Sequence, residues 1–188
     1  MIKIGITGSV ASGKTTASKI ISSRRGPLFS ADKVVKKLYT QNNFKKLIAR
    51  KLNFKLNNNF KKKLKGKILQ KKEILKKLEK IIHPLVRREM FIFLRKNKNK
   101  KLLFFEIPLL IESKLTKYFD VVIFIKSQNA SRLKRYVLRG GSTQLFSLLD
   151  KHQIKDTKKM KFCDHIIVNN KSLSILKKKL SNIIKLYE

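Results

Sequence analysis

Short apolar runs at 2–7, 27–30, 102–107, 121–125 and 165–168 alternate with longer stretches whose apolar residues recur every three or four positions. Runs rich in Ile, Val, Leu and Phe, with little polar alternation, predict strands buried on both faces. The longer stretches predict amphipathic helices. Strand, helix, strand alternation argues an α/β fold with a parallel sheet and helices on both faces.

One interval breaks this rhythm. From 36 to 99 the pattern is helical throughout, with Phe44, Leu47 and Ile48 and later Leu75, Leu78 and Ile82 at helical spacing. This predicts a helical insertion. Asn57-Asn58-Asn59 marks a turn inside it, and Asn97 to Lys100 a loop leading out of it. The tail from Ser172 to Tyr187 reads as a closing amphipathic helix, and no repeat period is visible.

Composition changes the picture only modestly. The 188 residues are 42% hydrophobic with twelve Phe, enough for one domain with a core, which excludes a disordered basic tail. The net charge of +36 points to nucleic acid, an anionic membrane or a polyanionic small substrate. The lysines, however, are spread along most of the chain and accompany many Asn and Ile, as an A/T-biased coding sequence would produce. The single cysteine, Cys163, rules out an intrachain disulfide and a multi-cysteine zinc site, and it reads as a small buried residue. The opening Met1 to Gly8 is strand-like, so no secretory leader is expected. The most apolar window, Leu102 to Ile111, is interrupted by Glu106 and Pro108 and is too short to span a bilayer, so a cytoplasmic protein is expected.

The chemistry begins at Gly8-Ser9-Val10-Ala11-Ser12-Gly13-Lys14-Thr15, which follows the first apolar run and leads into a helix expected from Thr15 to Ile21. Glycines at 8 and 13 let successive backbone N–H groups turn inward onto phosphate oxygens, and the helix adds its positive end. In this pattern Lys14 bridges the β- and γ-phosphates and the Thr15 hydroxyl ligates Mg²⁺. The chain is therefore a P-loop nucleotide-binding protein. It has neither the guanine-specifying Asn-Lys-x-Asp of a GTPase nor the larger domain and acidic Walker B strand end of a motor ATPase.

Asp32 follows the second apolar run, at the sheet edge where open α/β folds bind ligands. There a carboxylate can accept a proton from an attacking hydroxyl, or merely stabilise the first turn of a helix beginning near Lys33. Later, Ser127 is placed to cap a helix on which Arg132, Arg135 and Arg139 share one face, stopped by Gly140-Gly141. Such a face can clamp polyphosphate or be simply solvated.

Together these segments resemble one family. Ile4 to Thr16, Ser30-Ala31-Asp32, Leu78 to Arg87 with its His83-Pro84, Ile107-Pro108-Leu109-Leu110-Ile111-Glu112, Arg135 to Arg139, Gln153, and Cys163 to Asn170 are similar in order and spacing to dephospho-CoA kinases. The resemblance implies ATP-dependent phosphorylation of the ribose 3′-hydroxyl of dephospho-CoA, with Mg²⁺ as cofactor and the products CoA and ADP. It implies a P-loop NTPase-like core over 1–35, 100–126 and 153–188, a helical acceptor-binding subdomain over 36–99, and a lid over 127–152. It makes Asp32 the general base, with Lys14 and Arg139 as further catalytic residues. ATP would be held by Gly8 to Thr16, Arg135 and Arg139, and the acceptor by Asp32, His83, Pro84, Arg87, Pro108 and Leu109. Taken without the family, His83-Pro84 reads as a structural feature at a helix bend. The expected state is a monomer without specific nucleic-acid or membrane partners.

Five positions depart from the family pattern. Ser30 stands for a usual Asp, Glu106 for Asp, Lys61 for Arg, Arg132 for Gln and Lys159 for Arg. Two other readings are a nucleoside monophosphate kinase, which would lack the His-Pro and Pro-Leu-Leu segments, and a basic nucleic-acid-binding ATPase, which would bind nucleic acid in a steeply salt-dependent way.

Overall fold

Ile2–Gly8 forms strand β1, Leu28–Ser30 β2, Leu102–Glu106 β3, Val121–Lys126 β4 and His165–Val168 β5. Each lies within a residue or two of the apolar run that predicts it. The computed structural model describes residues 1–53 and 59–188, the side chains of Lys61 and Lys72 excepted. The expected turn at Asn57 and Asn58 lies outside the described residues.

The strands make one parallel sheet in the order β2-β3-β1-β4-β5. β1 is central, with Ile4 opposite Phe104 on one side and Val121 on the other. That explains the unbroken apolar runs, because central parallel strands have no solvent face. Only β5, at the edge, exposes alternate apolar residues, Ile166 and Val168.

The helices are α1 (Lys14–Ser22), α2 (Ala31–Leu38), α3 (Asn42–Lys51), α4 (Phe60–Gln70), α5 (Lys72–Lys96), α6 (Asn129–Val137), α7 (Thr143–His152), α8 (Asp156–Lys159) and α9 (Leu173–Ile184). The chain divides into two compact units, residues 1–30 with 93–188, and residues 31–92. In the first, Ala17 and Ile21 of α1 and Leu176, Leu180 and Ile184 of α9 bury one sheet face with Ile4, Ile6 and Ile123. On the other face Phe105 packs against Phe29, Phe93 of α5 and Phe119, at ring separations of 5.9, 5.3 and 5.2 Å. In the second unit Tyr39 meets the ring of Phe44 edge-on at 5.3 Å, and Ile48, Leu64 and Leu78 are buried.

Four local expectations need correction. α6 is capped at Gln128, not Ser127, whose hydroxyl donates instead to the Asn169 carbonyl and the Asn170 side chain. α6 ends at Val137, so Arg139 lies beyond it and the three arginines do not share one helical face. α2 begins at Ala31, not near Lys33. Cys163 is half-buried rather than buried. Among the described residues no helix is long and apolar enough to cross a membrane.

Candidate active site

Because all five strands are parallel, their carboxyl ends share one edge, which is where an open α/β sheet presents its binding residues. β1 delivers the glycine loop there, β2 ends at Ser30, β3 ends at Glu106, and Ser127 and Asn169 directly follow β4 and β5.

The loop takes conformations that only its sequence permits. Gly8 and Gly13 have φ of +151° and +97°, and Ala11 also lies in the left-handed region at +57°. A Cβ on Gly8 would collide with the Ile125 carbonyl, and one on Gly13 with the Asn169 side chain. Ser12 N donates to the Ser9 carbonyl at 3.1 Å, closing the turn. α1 then begins at Lys14. Its first-turn N–H groups have no acceptor within the helix, so this end is electropositive and suited to phosphate. The buried Lys14 donates from Nζ to the Ser9 carbonyl at 2.8 Å.

Oxygen ligands gather beside this loop. The Thr15 hydroxyl donates to Glu106 Oε1, and Ser30 Oγ donates to Glu106 Oε2 at 2.8 Å. Glu106 is 1% exposed, yet both carboxylate oxygens are satisfied. Strand order produces this cluster, since β3 lies beside β1 with Glu106 opposite Ile6. The sheet therefore does carry an acidic strand end next to the P-loop, contrary to the sequence expectation. A threonine hydroxyl and a carboxylate are hard oxygen donors of the type Mg²⁺ prefers, so the residues present fit that ion.

The outer side of the loop is gripped by side chains from 127–170. Asn169 Nδ2 donates to the Ser12 carbonyl at 2.8 Å, with Arg135 Nη1 at 3.4 Å from the same oxygen. Arg132 Nη1 reaches the Val10 carbonyl at 3.4 Å, Gln153 Oε1 accepts from Val10 N at 3.3 Å, and the Ser9 hydroxyl donates to Asp156. Arg132 is held by both oxygens of Asp150, at 2.5 and 3.3 Å. Behind Gln153 stands Lys159, which is fully buried and paired with Glu112 Oε1 at 2.6 Å.

The profile of the dephospho-CoA kinase family matches residues 2–174. The chain belongs to the dephospho-CoA kinase family. A dephospho-CoA kinase of Zymomonas mobilis is 35% identical over 187 residues, covering 94% of this chain and 91% of the relative. The dephospho-CoA kinase structure from Campylobacter jejuni superimposes with a TM-score of 0.65 at 27% identity, over 97% of this chain and 95% of that one. A shikimate kinase from Acinetobacter baumannii shares the fold, with a TM-score of 0.59 at 16% identity over 99% and 92% of the two chains.

Within this family the residues expected at the site fall into three groups. Gly8 to Thr16 form the loop and the start of α1, and Arg135 lies against it; Arg139 is exposed beyond α6. Pro108 and Leu109 follow β3, and the Pro108 carbonyl accepts the Thr7 hydroxyl at 3.1 Å. Asp32 lies in the first turn of α2, while His83, Pro84 and Arg87 lie on α5; all four belong to the unit spanning 31–92. Asp32 and Arg87 are exposed and His83 is half-buried.

The departures from the family pattern have structural settings. Ser30 and Glu106 bond each other, Arg132 holds the loop together with Asp150, and Lys159 is buried against Glu112; the Lys61 side chain lies outside the described ones. Glu106 and Asn169 are the residues that the candidate list lacked. An acid closing an apolar strand was a visible signal for Glu106, whereas Asn169 gave none beyond its place in the resembling segment.

Proposed function

We propose that this chain transfers the γ-phosphoryl group of ATP to the ribose 3′-hydroxyl of dephospho-CoA, giving CoA and ADP. The observation that carries the reading is the glycine loop opening α1 with Thr15 hydrogen-bonded to Glu106, in a chain of the dephospho-CoA kinase family. Backbone N–H groups of the loop and Lys14 hold the phosphates. Thr15, supported by Glu106, would hold Mg²⁺, which supplies charge neutralisation between the β- and γ-phosphates.

Asp32 accepts the proton of the ribose hydroxyl as its oxygen forms a bond to the γ-phosphorus and the bond to the β-γ bridging oxygen breaks. ADP leaves with that electron pair. Lys14 and Arg139 stabilise the charge on the transferring group. His83, Pro84 and Arg87 of the subdomain at 36–99, with Pro108 and Leu109 after β3, position the acceptor, and the lid at 127–152 excludes water. The protein acts in the cytoplasm as a monomer, without a specific nucleic-acid partner.

The reading is tested by incubating purified protein with Mg-ATP and dephospho-CoA and separating the products. Formation of CoA with one ADP per turnover supports it. ATP hydrolysis without CoA overturns the acceptor.

A further inference from the structure

Asn169 follows β5 directly and is 8% exposed. Each of its polar backbone groups is committed. Its N–H donates to the Lys126 carbonyl at 2.8 Å, and its carbonyl accepts from Arg135 Nη2 at 2.9 Å and Ser127 Oγ at 3.1 Å. Thus the backbone is anchored before the side chain reaches out. Nδ2 then donates to the Ser12 carbonyl at 2.8 Å, the shortest of the side-chain bonds that reach carbonyls on the outside of the loop at Val10 and Ser12.

That bond acts on the inside of the loop. Within a trans peptide the C=O and the following N–H point in opposite directions from one rigid plane. Gripping the Ser12 carbonyl from outside therefore turns the Gly13 N–H inward, where a phosphate oxygen needs a donor. Gly13 has φ of +97°, so its own steric preferences, being those of glycine, leave this plane free to rotate. The close approach of Asn169 Nδ2, which excludes any Cβ on Gly13, shows how tightly the two are packed.

We infer that Asn169 is a positioning residue of the ATP site, which sets the Ser12–Gly13 peptide so that the Gly13 N–H faces the phosphates. Its Nδ2 is committed to the Ser12 carbonyl, so it acts through that peptide. Asp at this position keeps the size but presents only acceptors to a carbonyl, so it repels where Asn attracts. Asn170 makes a useful control, because its side chain accepts from Ser127 Oγ and Gln128 N in the same connection without reaching the loop.

The test is calorimetric titration of Mg-ATP into Asn169→Ala, Asn169→Asp and Asn170→Ala, with the melting temperature of each. Asn169→Ala should bind about tenfold more weakly, as expected for one lost buried hydrogen bond, and Asn169→Asp at least as weakly. Asn170→Ala should bind as the parent does, and KM for dephospho-CoA should be unchanged in all three. Parental ATP affinity in a folded Asn169 variant would overturn the assignment. So would equal weakening by Asn170→Ala, which would mean general loosening, or failure of both Asn169 variants to fold, which would make the residue a folding element. The inference rests on the proposed ATP site alone. A protein that bound Mg-ATP normally yet ignored dephospho-CoA would contradict the proposed function and leave the role of Asn169 intact.

Discussion

Ser30 Oγ donates to Glu106 Oε2 at 2.8 Å, while the other carboxylate oxygen accepts the Thr15 hydroxyl. Two departures from the family pattern are thus partners. Where the resemblance leads one to expect an aspartate at each position, this chain has Ser30 and Glu106. With Ser30 in place of an acid, the Glu106 carboxylate has a hydrogen-bond donor beside it and not a second negative charge. Ser30→Ala should cost about 1–3 kcal/mol in urea unfolding, because it strands a buried acceptor. Ser30→Asp should be destabilising by at least as much, with partial recovery in Ser30→Asp combined with Glu106→Gln. Additive effects of those two changes would deny the coupling.

Lys159 illustrates how composition can hide a site-supporting residue. It is fully buried, ion-paired with Glu112, and 3.4 Å from the Gln153 oxygen that accepts Val10 N. Glu112 Oε2 is buried without a hydrogen-bond partner. Lys159→Met should destabilise the fold by about 3–5 kcal/mol, since it leaves an uncompensated buried carboxylate. Lys159→Arg, whose planar fork can reach both oxygens, should be neutral or stabilising. Chemical denaturation of both variants checks this, and equal destabilisation by the two would contradict it.

Burial pushes the Cys163 thiol up to about 12, with Asp164 adding to the rise and Lys159 partly opposing it. Its hydrogen bond to the Lys159 carbonyl, at 3.3 Å, keeps the proton on sulfur. Alkylation by iodoacetamide at pH 8 should therefore be at least about 100-fold slower in the folded protein than in an unfolded control, because the thiolate reacts. The sign for stability follows from the same shift. The unfolded thiol loses its proton first, so stability falls as pH rises from about 9 toward 12, and Cys163→Ser should lessen that fall.

Asp32 is the residue on which the proposed chemistry turns. Asp32→Asn should leave Mg-ATP affinity unchanged while lowering turnover by on the order of 10²–10⁴-fold. Undiminished turnover in this variant would remove Asp32 from the mechanism.

The strands were legible because parallel strands buried on both faces leave unbroken apolar runs, and β1 to β5 fall where those runs lie. The glycine loop was legible because its backbone needs glycine at two fixed positions. What could not be read was strand order. Only β3 lying beside β1 brings Glu106 to Thr15, and no local pattern records that neighbourhood. Ser127 was misread as a cap because its hydroxyl is claimed by residues on the next strand's exit, Asn169 and Asn170. Arg132 and Arg135 read as part of a face that clamps polyphosphate or is simply solvated, and their guanidinium groups reach loop carbonyls that no local pattern records. In a chain of this charge, a buried Lys159 is indistinguishable from its many neighbours.

The most direct test of the account is ADP release from Mg-ATP with dephospho-CoA, nucleoside monophosphates or single-stranded DNA supplied as the possible stimulator. Strong stimulation by dephospho-CoA alone, with CoA as the product, is the predicted result. Stimulation by a nucleotide or by DNA, with none by dephospho-CoA, would contradict it.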